Sequence, residues 1–356
     1  MSRRPLHEPF TTAVAEQEEV LPQATEAQTA TLLTLDAEAA ALEEVRAALL
    51  GSPRELPCKY FYDDRGSQLF ETITTLDEYF PTRTERALIL GRAQAIVRAA
   101  GGAAVSDVVE LGSGAASKTT ALLDAAVALG GRPRYVAVDI SAHALERTRE
   151  LLGTAAPGIA VETLLADYTH RLKLPPRQAD GRRLVLFLGG TIGNDEDPAA
   201  VKFLTSVRRH VDEGDSLLLG ANLVTDPAGI HLAYNDARGV TAEFNFNILR
   251  AVNALAGSRF DPADFFHHAP YDVERRRIEM WLVAKRALDV DLGRLGGTLH
   301  LGPGEGIRTE ISRRFTRDDV LRLIDRAGFS PEQWFESPDG RFGLALGTAR
   351  ADLRSL

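Results

Sequence analysis

Cysteine is almost absent from this chain of 356 residues, in which Cys58 carries the only thiol. A single thiol cannot form a disulfide within the chain, and it cannot build a cysteine-rich zinc site. We therefore predict no metal site, and we interpret Cys58 as a small apolar side chain.

Long hydrophobic runs are missing as well, and no run approaches the length of about 20 residues that a membrane-spanning helix needs. The basic N-terminus is followed by Leu6-His7-Glu8-Pro9, where a signal peptide would need an apolar core. An excess of positive charge is also lacking, because the net charge is −9. These absences predict a cytoplasmic protein that binds neither a membrane nor nucleic acid. We expect it to be a monomer.

The most informative stretch that is present runs from Val108 to Gly114. Two β-branched residues lead into Glu110-Leu111-Gly112-Ser113-Gly114, and a helical pattern starts near Lys118. A strand, a glycine turn and a helix in this order are typical of the first β-α unit of a nucleotide-binding fold. Gly112 and Gly114 let a ligand approach the backbone, because they carry no Cβ. The alternative is a tight turn in an ordinary α/β domain.

The carboxylate of Glu110 favours one class of cofactor. An acid in this loop would repel the pyrophosphate of a dinucleotide, whereas the ammonium and sulfonium groups of S-adenosylmethionine favour a nearby carboxylate. No third glycine completes the dinucleotide-binding motif after Gly114. We therefore predict an S-adenosylmethionine site, and the same features disfavour a nicotinamide-dependent oxidoreductase.

Strand-like and helix-like segments alternate from residue 107 onward, which indicates a parallel sheet covered on both faces. The tail at 330–349 predicts two strands joined by Ser337-Pro338-Asp339-Gly340, after a helix that begins with a capping box at Thr316. The predicted fold class is α/β, a doubly wound Rossmann-like methyltransferase sheet with an antiparallel C-terminal hairpin. Strands are predicted at 107–111, 134–139, 159–165, 184–189 and 215–220, and helices at 118–129, 142–152 and 198–212.

Two segments depart from this alternation and predict a second domain. Residues 226–257 have the pattern of two helices, and residues 258–313 mix loops with strand-like runs. We predict a substrate-binding domain from 36–82 and 226–313, an S-adenosylmethionine-binding domain from 83–225 and 314–356, and a flexible N-terminal extension at 1–35. Within the N-terminal part, Asp36 is the predicted cap of a helix ending at Leu50, and Ser67 the cap of a short helix.

Carboxylates end the second and third predicted strands. Asp139 lies where such folds hold ribose hydroxyls, although it could instead cap the next helix in competition with Ser141. Asp167 could accept a hydrogen bond from the amine of adenine, and Tyr168 could offer an aromatic face. An aspartate after a strand is common, so Asp167 alone is a weak signal.

Two further segments carry candidate binding residues. Gly189-Gly190-Thr191-Ile192-Gly193-Asn194 follows the fourth predicted strand, and its glycines suggest the close approach of a bound molecule. The alternative is a flexible connection with Asn194 in a left-handed turn. Glu310 and Ser312 alternate in a strand-like run, so they share one face and could bracket a small ring with two polar nitrogens. The alternative is a solvated strand face.

These segments together resemble the histidine-specific methyltransferase family. The N-terminal signature is similar in Lys59-Tyr-Phe-Tyr-Asp-Asp-Arg-Gly-Ser-Gln-Leu-Phe70 and Glu78-Tyr-Phe-Pro-Thr-Arg-Thr-Glu85. The similarity continues, in the order of the family, through Glu110-Leu-Gly-Ser-Gly-Ala-Ala-Ser-Lys-Thr119, Gly190-Thr-Ile-Gly-Asn194, Ala233-Tyr-Asn-Asp236, Phe244-Asn245 and Ile307-Arg-Thr-Glu-Ile-Ser312. It covers the chain from about residue 36 to the C-terminus.

The resemblance implies transfer of three methyl groups from S-adenosylmethionine to the α-amino group of L-histidine, which makes hercynine in the first step of ergothioneine biosynthesis. It implies a cofactor site that includes Tyr62, Gly112, Lys118, Asp139, Asp167 and Tyr168. It implies a histidine site in which Asn194 and Tyr234 hold the carboxylate, Glu310 and Ser312 meet the imidazole with Tyr79 nearby, Met280 lines the ring pocket, and Phe70, Gly189 and Thr191 surround the amine.

No residue is assigned as a catalytic acid or base, because the methyl donor is already activated and its cationic sulfonium helps the nearby amine to lose its proton. Three positions depart from the pattern expected of the family. Asn222 stands where an aspartate is frequent, Arg313-Arg314 where a lysine is common, and Tyr168 where phenylalanine is frequent. Two other functions stay open: an Nα-methyltransferase for another aromatic amino acid such as tryptophan, and a non-catalytic S-adenosylmethionine-binding protein.

Overall fold

The structure is a computed structural model, and it describes residues 26–114, 116, 118–156, 158–169, 172–178 and 181–351. Most of the predicted flexible extension, residues 1–25, lies outside the described residues, while residues 26–35 are helical. The chain divides into two compact units, with the boundary between Ala41 and Leu42. Residues from Leu42 onward belong to the second unit.

Nine helices and thirteen strands are formed by the described residues. The helices are α1 (Glu26–Leu50), α2 (Asp64–Thr74), α3 (Pro81–Ala99), α4 (Thr120–Ala128), α5 (Ala142–Ala155), α6 (Asp197–Arg208), α7 (Pro227–Tyr234), α8 (Val240–Ala256) and α9 (Arg317–Arg326). The strands are β1 (Val105–Leu111), β2 (Arg134–Asp139), β3 (Ala160–Leu165), β4 (Arg182–Phe187), β5 (Ser216–Asn222), β6 (Phe265–His268), β7 (Tyr271–Asp272), β8 (Arg277–Ala284), β9 (Leu288–Asp291), β10 (Thr298–Leu301), β11 (Gly306–Arg313), β12 (Phe329–Glu336) and β13 (Phe342–Ala349).

The main sheet has seven strands in the order β12-β13-β5-β4-β1-β2-β3. The five strands from β5 to β3 are parallel, and β13 pairs antiparallel with both β5 and β12. Strands β1, β4 and β5 are almost continuously buried, as expected for strands covered by helices on both faces. Two separate hydrophobic clusters lie against the sheet. The predicted doubly wound sheet with an antiparallel C-terminal hairpin is confirmed.

A second sheet is built from the inserted segment, in which β11, β8 and β6 are neighbours and β7 also pairs with β8. The predicted helices of residues 226–257 are confirmed as α7 and α8. These elements share one hydrophobic cluster with residues 45–80 of the N-terminal part. The N-terminal and inserted segments therefore build a core of their own, distinct from the clusters on the main sheet.

The helix caps correct two predictions and confirm a third. Helix α1 begins at Glu26, so Asp36 lies inside it and is not its cap. Helix α2 is capped by Asp63, which accepts a hydrogen bond from the Gly66 amide at 2.7 Å, whereas Ser67 is buried within the helix. Asp63 lies four residues before Ser67, about one helical turn, and it satisfies the free amides of the first turn. The capping box at Thr316 is confirmed.

None of the helices in the described part of the chain combines the length and the hydropathy that crossing a bilayer requires.

Candidate active site

Five predicted cofactor residues lie where the parallel strands β1, β2 and β3 end at one edge of the main sheet: Gly112, Gly114, Asp139, Asp167 and Tyr168. Gly112 and Gly114 both have positive φ, +71° and +51°, which other residues rarely adopt. A Cβ added at Gly112 would lie 3.2 Å from the hydroxyl of Tyr168. A Cβ added at Gly114 would meet no heavy atom of the described residues within 4 Å. The turn is therefore closely packed at Gly112, and it leaves space beside Gly114.

Asp139 joins this turn to the start of helix α5. Its Oδ2 accepts a hydrogen bond from the Gly114 amide and its Oδ1 accepts one from the Ser141 amide, both at 2.9 Å. The helix cap itself is Ser141, whose hydroxyl accepts from the Ala144 amide. Asp139 is thus free of the capping role, and its carboxylate is held beside the open turn, where we predicted a ribose contact.

Glu110 is buried within the protein. Its Oε2 accepts hydrogen bonds from the hydroxyls of Tyr135 and Thr119, both at 2.6 Å, and burial raises the pKa of Glu110 to about 7. These two hydrogen bonds hold Glu110 Oε2 in the protein interior, beside the glycine turn. The predicted attraction to a cationic cofactor would therefore act through the charge of Glu110, and not through a hydrogen bond at Oε2.

Asp167 has a partner that the sequence did not predict. Lys59 Nζ lies 2.8 Å from Asp167 Oδ2 and 2.7 Å from Glu44 Oε2. Burial by itself would raise the pKa of Asp167, but hydrogen bonds from Lys59 and Thr169 outweigh it and lower the pKa. The carboxylate is consequently ionised and oriented beside Tyr168, as an acceptor for an exocyclic amine requires. Lys59 belongs to the Lys59–Phe70 motif, which was the only signal for it in the sequence.

Glu85 is a second site residue that sequence reasoning missed. It is 1% exposed, its Oε2 forms an ion pair with Lys118 Nζ, and its Oε1 accepts a hydrogen bond from the Gly189 amide at 2.6 Å. The predicted cofactor residue Lys118 and the predicted substrate loop at Gly189 therefore share one buried carboxylate. The available signal was that Glu85 closes the motif that begins at Glu78.

Aromatic rings form one wall of the predicted histidine site. Phe70 meets Tyr62 edge-on at 5.7 Å between ring centroids and Tyr79 at 6.2 Å, and Tyr79 meets Tyr234 at 6.3 Å. Phe244 packs behind Phe70 and Tyr62. Tyr62, predicted for the cofactor, thus belongs to the same wall as the predicted substrate residues.

Glu310 and Ser312 lie on β11, which pairs antiparallel with β8 so that Glu310 is opposite Met280. A β-bulge between Arg308 and Glu310 interrupts the pairing just before this point, and such bulges re-aim the following side chains. Ser312 is 3% exposed, and its Oγ accepts hydrogen bonds from the Tyr234 hydroxyl at 2.7 Å and from Arg314 Nη1 at 2.9 Å. The alternative of a solvated strand face is therefore wrong for Ser312.

The carboxylate of Glu310 differs from the other site carboxylates, because within the described part of the chain it receives no hydrogen bond. Burial raises its pKa to about 8, and the guanidinium of Arg314 acts in the opposite direction. Its charge is also felt by Cys58, Tyr62, Tyr79 and Tyr234. An acceptor without a donor, set among aromatic rings, is suited to a ligand that brings its own N–H group.

The loop after β4 completes the site. Gly189 and Gly190 have φ of +77° and +70°, and Thr191 donates its hydroxyl to the carbonyl of Leu188 at 3.1 Å. Asn194 ends the following 3-10 turn without a left-handed conformation, so the left-handed turn of the alternative is wrong. Its Nδ2 lies 3.4 Å from Cys58 Sγ. Burial raises the pKa of Cys58 to about 12, which keeps the thiol neutral and fits the interpretation as an apolar residue.

The family model of histidine-specific, S-adenosylmethionine-dependent methyltransferases matches residues 41–349 of this chain. The chain belongs to this family. The histidine N-alpha-methyltransferase of Mycolicibacterium smegmatis is 40% identical over 318 residues, which cover 89% of this chain and 98% of that protein.

Two more distant relatives differ in length and in name. Ergothioneine biosynthesis protein 1 of Neurospora crassa is 32% identical over 83% of this chain, which corresponds to 33% of that longer protein. The 4-dimethylallyltryptophan N-methyltransferase of Trichophyton verrucosum is 29% identical over 80% of this chain and 86% of that protein.

This histidine-specific methyltransferase departs from the expected family pattern at two positions that lie in the site. Arg314 is 2% exposed, stacks over the Tyr234 ring at 5.7 Å and carries Nη2 without a hydrogen-bond partner among the described residues. Asn222 lies under the loop, because a Cβ added at Gly190 would come within 2.2 Å of Asn222 Nδ2. Gly190 therefore has a steric as well as a conformational reason to be glycine.

The residues present fit S-adenosylmethionine, the cofactor of the family. The open face of Gly114, the ionised carboxylate of Asp167 and the carboxylate of Asp139 lie at the ends of adjacent strands. Lys118 is the cation of the same edge. Together they offer acceptors for hydroxyl and amine groups and a cation for a carboxylate, which is the chemistry of an aminoacyl nucleoside.

Proposed function

We propose that this methyltransferase converts L-histidine to hercynine by three successive methylations of the α-amino group, as the first step of ergothioneine biosynthesis. The observation that carries the proposal is the carboxylate of Glu310, which receives no hydrogen bond from the described residues and lies on the same strand as the buried hydroxyl of Ser312. The names of the relatives from Mycolicibacterium smegmatis and Neurospora crassa support the substrate and the pathway.

The imidazole ring would lie between Glu310 and Ser312, with Met280 beside it and Tyr79 nearby. A neutral imidazole has one N–H donor and one acceptor nitrogen. Ionised Glu310 can only accept, so it takes the N–H. Ser312 already accepts from Tyr234 and Arg314, which leaves its own proton to donate to the other nitrogen. Such a site rejects rings that leave these groups unpaired.

The amino-acid backbone of the substrate would face the loop after β4. Asn194 and Tyr234 hold the carboxylate in this proposal, while Phe70, Gly189 and Thr191 surround the amine. Tyr234 now directs its proton to Ser312, so it must turn this proton towards the substrate in order to bind the carboxylate. Asn194 needs no such change, because its only described partner is the weak sulfur acceptor of Cys58.

When bound, S-adenosylmethionine supplies a methyl group that its sulfonium has already activated. Lys118 would hold its carboxylate, Asp139 its ribose hydroxyls and Asp167 with Tyr168 its adenine, while Tyr62, Glu110, Gly112 and Gly114 shape and surround the same site. The chain then has to align the amine lone pair with the methyl carbon and to keep water away, which can lower the barrier by several kcal/mol. The amine loses a proton before each transfer, so that its lone pair is available to attack the methyl carbon.

We also propose that the two parts of the molecule bind different ligands. Segments 36–82 and 226–313 form the substrate-binding domain, and 83–225 with 314–356 form the S-adenosylmethionine-binding domain. Separate hydrophobic clusters for residues 45–80 with 230–307 and for the main sheet support this division. We further propose that the enzyme is a cytoplasmic monomer that uses neither nucleic acid nor a membrane.

A second substrate class is favoured by one observation. The relative from Trichophyton verrucosum is named for a tryptophan derivative, so a protein of this family can have an indole-containing substrate.

Incubation of the protein with S-adenosylmethionine and an equimolar mixture of amino acids distinguishes histidine from tryptophan as the substrate, because mass spectrometry identifies which amino acid gains three methyl groups. Trimethylated histidine as the main product is expected; trimethylated tryptophan, or no product, contradicts the proposal. Glu310→Ala should lose this preference for histidine, since its main side-chain contact is gone.

A further inference from the structure

Glu85 is a buried carboxylate that serves two loops at once. Its Oε2 pairs with Lys118 Nζ, which follows the glycine turn after β1, and its Oε1 accepts from the Gly189 amide, which follows β4. Each oxygen therefore has its own partner, and the partners belong to the proposed cofactor site and to the proposed amine site. Lys118 is 17% exposed and Glu85 is 1% exposed, so this ion pair is little screened by water.

The packing around Glu85 leaves it little freedom to move. A Cβ added at Gly220, on the neighbouring strand β5, would lie 2.9 Å from Glu85 Oε1. A Cβ added at Gly189 would lie 3.9 Å from Lys118 Nζ. Glycine at 220 thus lets the Glu85 carboxylate approach β5, and the Lys118 ammonium lies within ordinary contact distance of the Gly189 position.

Helix α3, which carries Glu85 in its second turn, is also tied to the aromatic wall. The guanidinium of Arg83 donates to the carbonyls of Asp77 and Tyr79, at 2.7 Å and 3.1 Å. The start of one helix therefore connects Tyr79, the loop at Gly189 and Lys118.

We propose that Glu85 is a positioning residue that couples the binding of the methyl donor to the binding of the amino acid. This inference rests on the proposed function and deepens it. When either ligand orders its own loop, the shared carboxylate orders the other loop as well, so the second ligand has less conformational entropy to lose. Each ligand then tightens the binding of the other by the same factor.

The charge of Glu85 adds a second contribution. The sulfonium and the substrate ammonium are both cationic, and an uncompensated Lys118 next to Gly189 would repel them. Glu85 neutralises Lys118 without supplying a base to the reaction. A glutamine at this position has one acceptor oxygen where the carboxylate has two, so it cannot serve Lys118 and the Gly189 amide together.

The test is Glu85→Gln, which conserves volume, with Asp107→Asn as the matched control. Asp107 is a fully buried carboxylate that accepts from Arg134 and Arg183 at the start of β1, the edge of the sheet opposite to the glycine turn. Both variants remove a buried charge of the same domain, but only Glu85 joins the two loops. Titration calorimetry measures the dissociation constant of histidine with and without saturating S-adenosylhomocysteine, the demethylated cofactor.

The wild type should bind histidine about 10-fold more tightly in the presence of S-adenosylhomocysteine, within the usual range of such couplings. Glu85→Gln should reduce this ratio to within about 2-fold of unity, whereas Asp107→Asn should keep the ratio of the wild type. A ratio near unity in the wild type, or an unchanged ratio in Glu85→Gln, overturns the inference. Loss of the ratio in Asp107→Asn also overturns it, because general destabilisation would then explain the effect.

Two further outcomes of this experiment can also be interpreted. If Glu85→Gln does not fold, Glu85→Asp keeps the charge but shortens the side chain by one methylene group, so that it cannot reach Lys118 and the Gly189 amide together, and the same loss of the ratio is expected. Failure of the proposed function is recognised separately, because the wild type would then fail to bind histidine at all.

Discussion

Burial raises the pKa of the Glu310 carboxylate to about 8, while the guanidinium of Arg314 acts in the opposite direction. In the free protein at neutral pH this group is mostly protonated. If the ring N–H of the ligand requires the ionised carboxylate, affinity rises as the pH rises through about 8. The other groups near Glu310 are Cys58 and the tyrosines of the aromatic wall, whose pKa values burial raises, so they stay neutral in this range.

Arg314→Met tests this electrostatic arrangement. Loss of the cation raises the pKa of Glu310 further, so the increase of affinity with pH should move to higher pH, and binding at neutral pH should weaken. Hercynine is the suitable probe, because its trimethylated amine has no proton to lose and its ring titrates at lower pH, near 6.5. Calorimetry across this pH range is the measurement. Arg314→Lys keeps a cation and should keep the wild-type profile; an identical shift in both variants would falsify the role of charge.

Glu110→Gln tests the buried carboxylate beneath the glycine turn. The pKa of Glu110 is raised to about 7 from 4.5, so between these values the folded protein binds more protons than the unfolded chain, and its stability falls as pH rises. The amide variant retains an acceptor for Tyr135 and Thr119 but escapes this loss. Its unfolding free energy relative to the wild type should therefore increase by about 2–3 kcal/mol from about pH 5 to about pH 8. Urea unfolding at both pH values measures it, and a constant difference would contradict the assignment.

At the scale of elements, the site depends on how each parallel strand ends. Gly112 and Gly114 after β1, and Gly189 and Gly190 after β4, all adopt positive φ. These turns direct the chain sharply away from the sheet and leave their amides close to the proposed ligand sites. The bulge in β11 has a related effect, because it sets the direction of Glu310 just after it.

Gly190→Ala should damage the loop after β4 specifically. The residue has φ of +70°, and the added Cβ would lie within 2.2 Å of Asn222 Nδ2. Strain of about 1 kcal/mol from the backbone adds to this steric conflict. Histidine affinity should fall at least about 10-fold, while S-adenosylhomocysteine affinity changes little, because the glycine turn after β1 is untouched.

Gly102→Ala is the matched control for Gly190→Ala. Gly102 has a similar φ of +61°, but its added Cβ would meet no heavy atom of the described chain within 4 Å. This variant should lose a comparable backbone contribution and retain histidine binding. Equal losses of histidine affinity in the two variants would show that strain alone, and not the contact with Asn222, is responsible.

At the scale of the whole molecule, polar contacts at the site connect the inserted-segment part of the second unit with the main-sheet part. Lys59 lies between Cys58 and Tyr60, which pack against the core of the inserted segment, and it pairs with Asp167, which follows β3 of the main sheet. Asn194, in the loop after β4, makes a second contact, with 3.4 Å between its Nδ2 and Cys58 Sγ. Ligands that bind between these contacts would be held by both parts of the molecule.

Lys59→Met should weaken S-adenosylhomocysteine binding about 3- to 10-fold, the size expected for one half-buried charged hydrogen bond. Without Lys59 the pKa of Asp167 rises and its carboxylate loses its orientation. Histidine binding measured without the cofactor should change little. Lys202→Met, which removes an exposed lysine of α6, provides the control for general charge effects. Weakening of the same size in the control would remove Lys59 from the site.

Local pattern predicted most of the fold correctly. The strand at 134–139, the two helices of 226–257 and the capping box at Thr316 agree with the structure, because periodic burial and capping act over a few neighbouring residues. The cap of α2 was wrong because Asp63 and Ser67 are both good caps, and nearby competition decided between them. The start of α1 was wrong because its sequence shows little periodicity.

The sequence by itself determined the class of fold, the cofactor edge and the order of the family motifs, since all of these follow from short-range chemistry along the chain. Only the tertiary structure decided which charges neutralise each other. Glu85 is 33 residues from Lys118 and 104 residues from the Gly189 amide, and Lys59 is 108 residues from Asp167. No local signal encodes such pairs, because burial of a charge is set by which strand ends and helix starts the fold brings together.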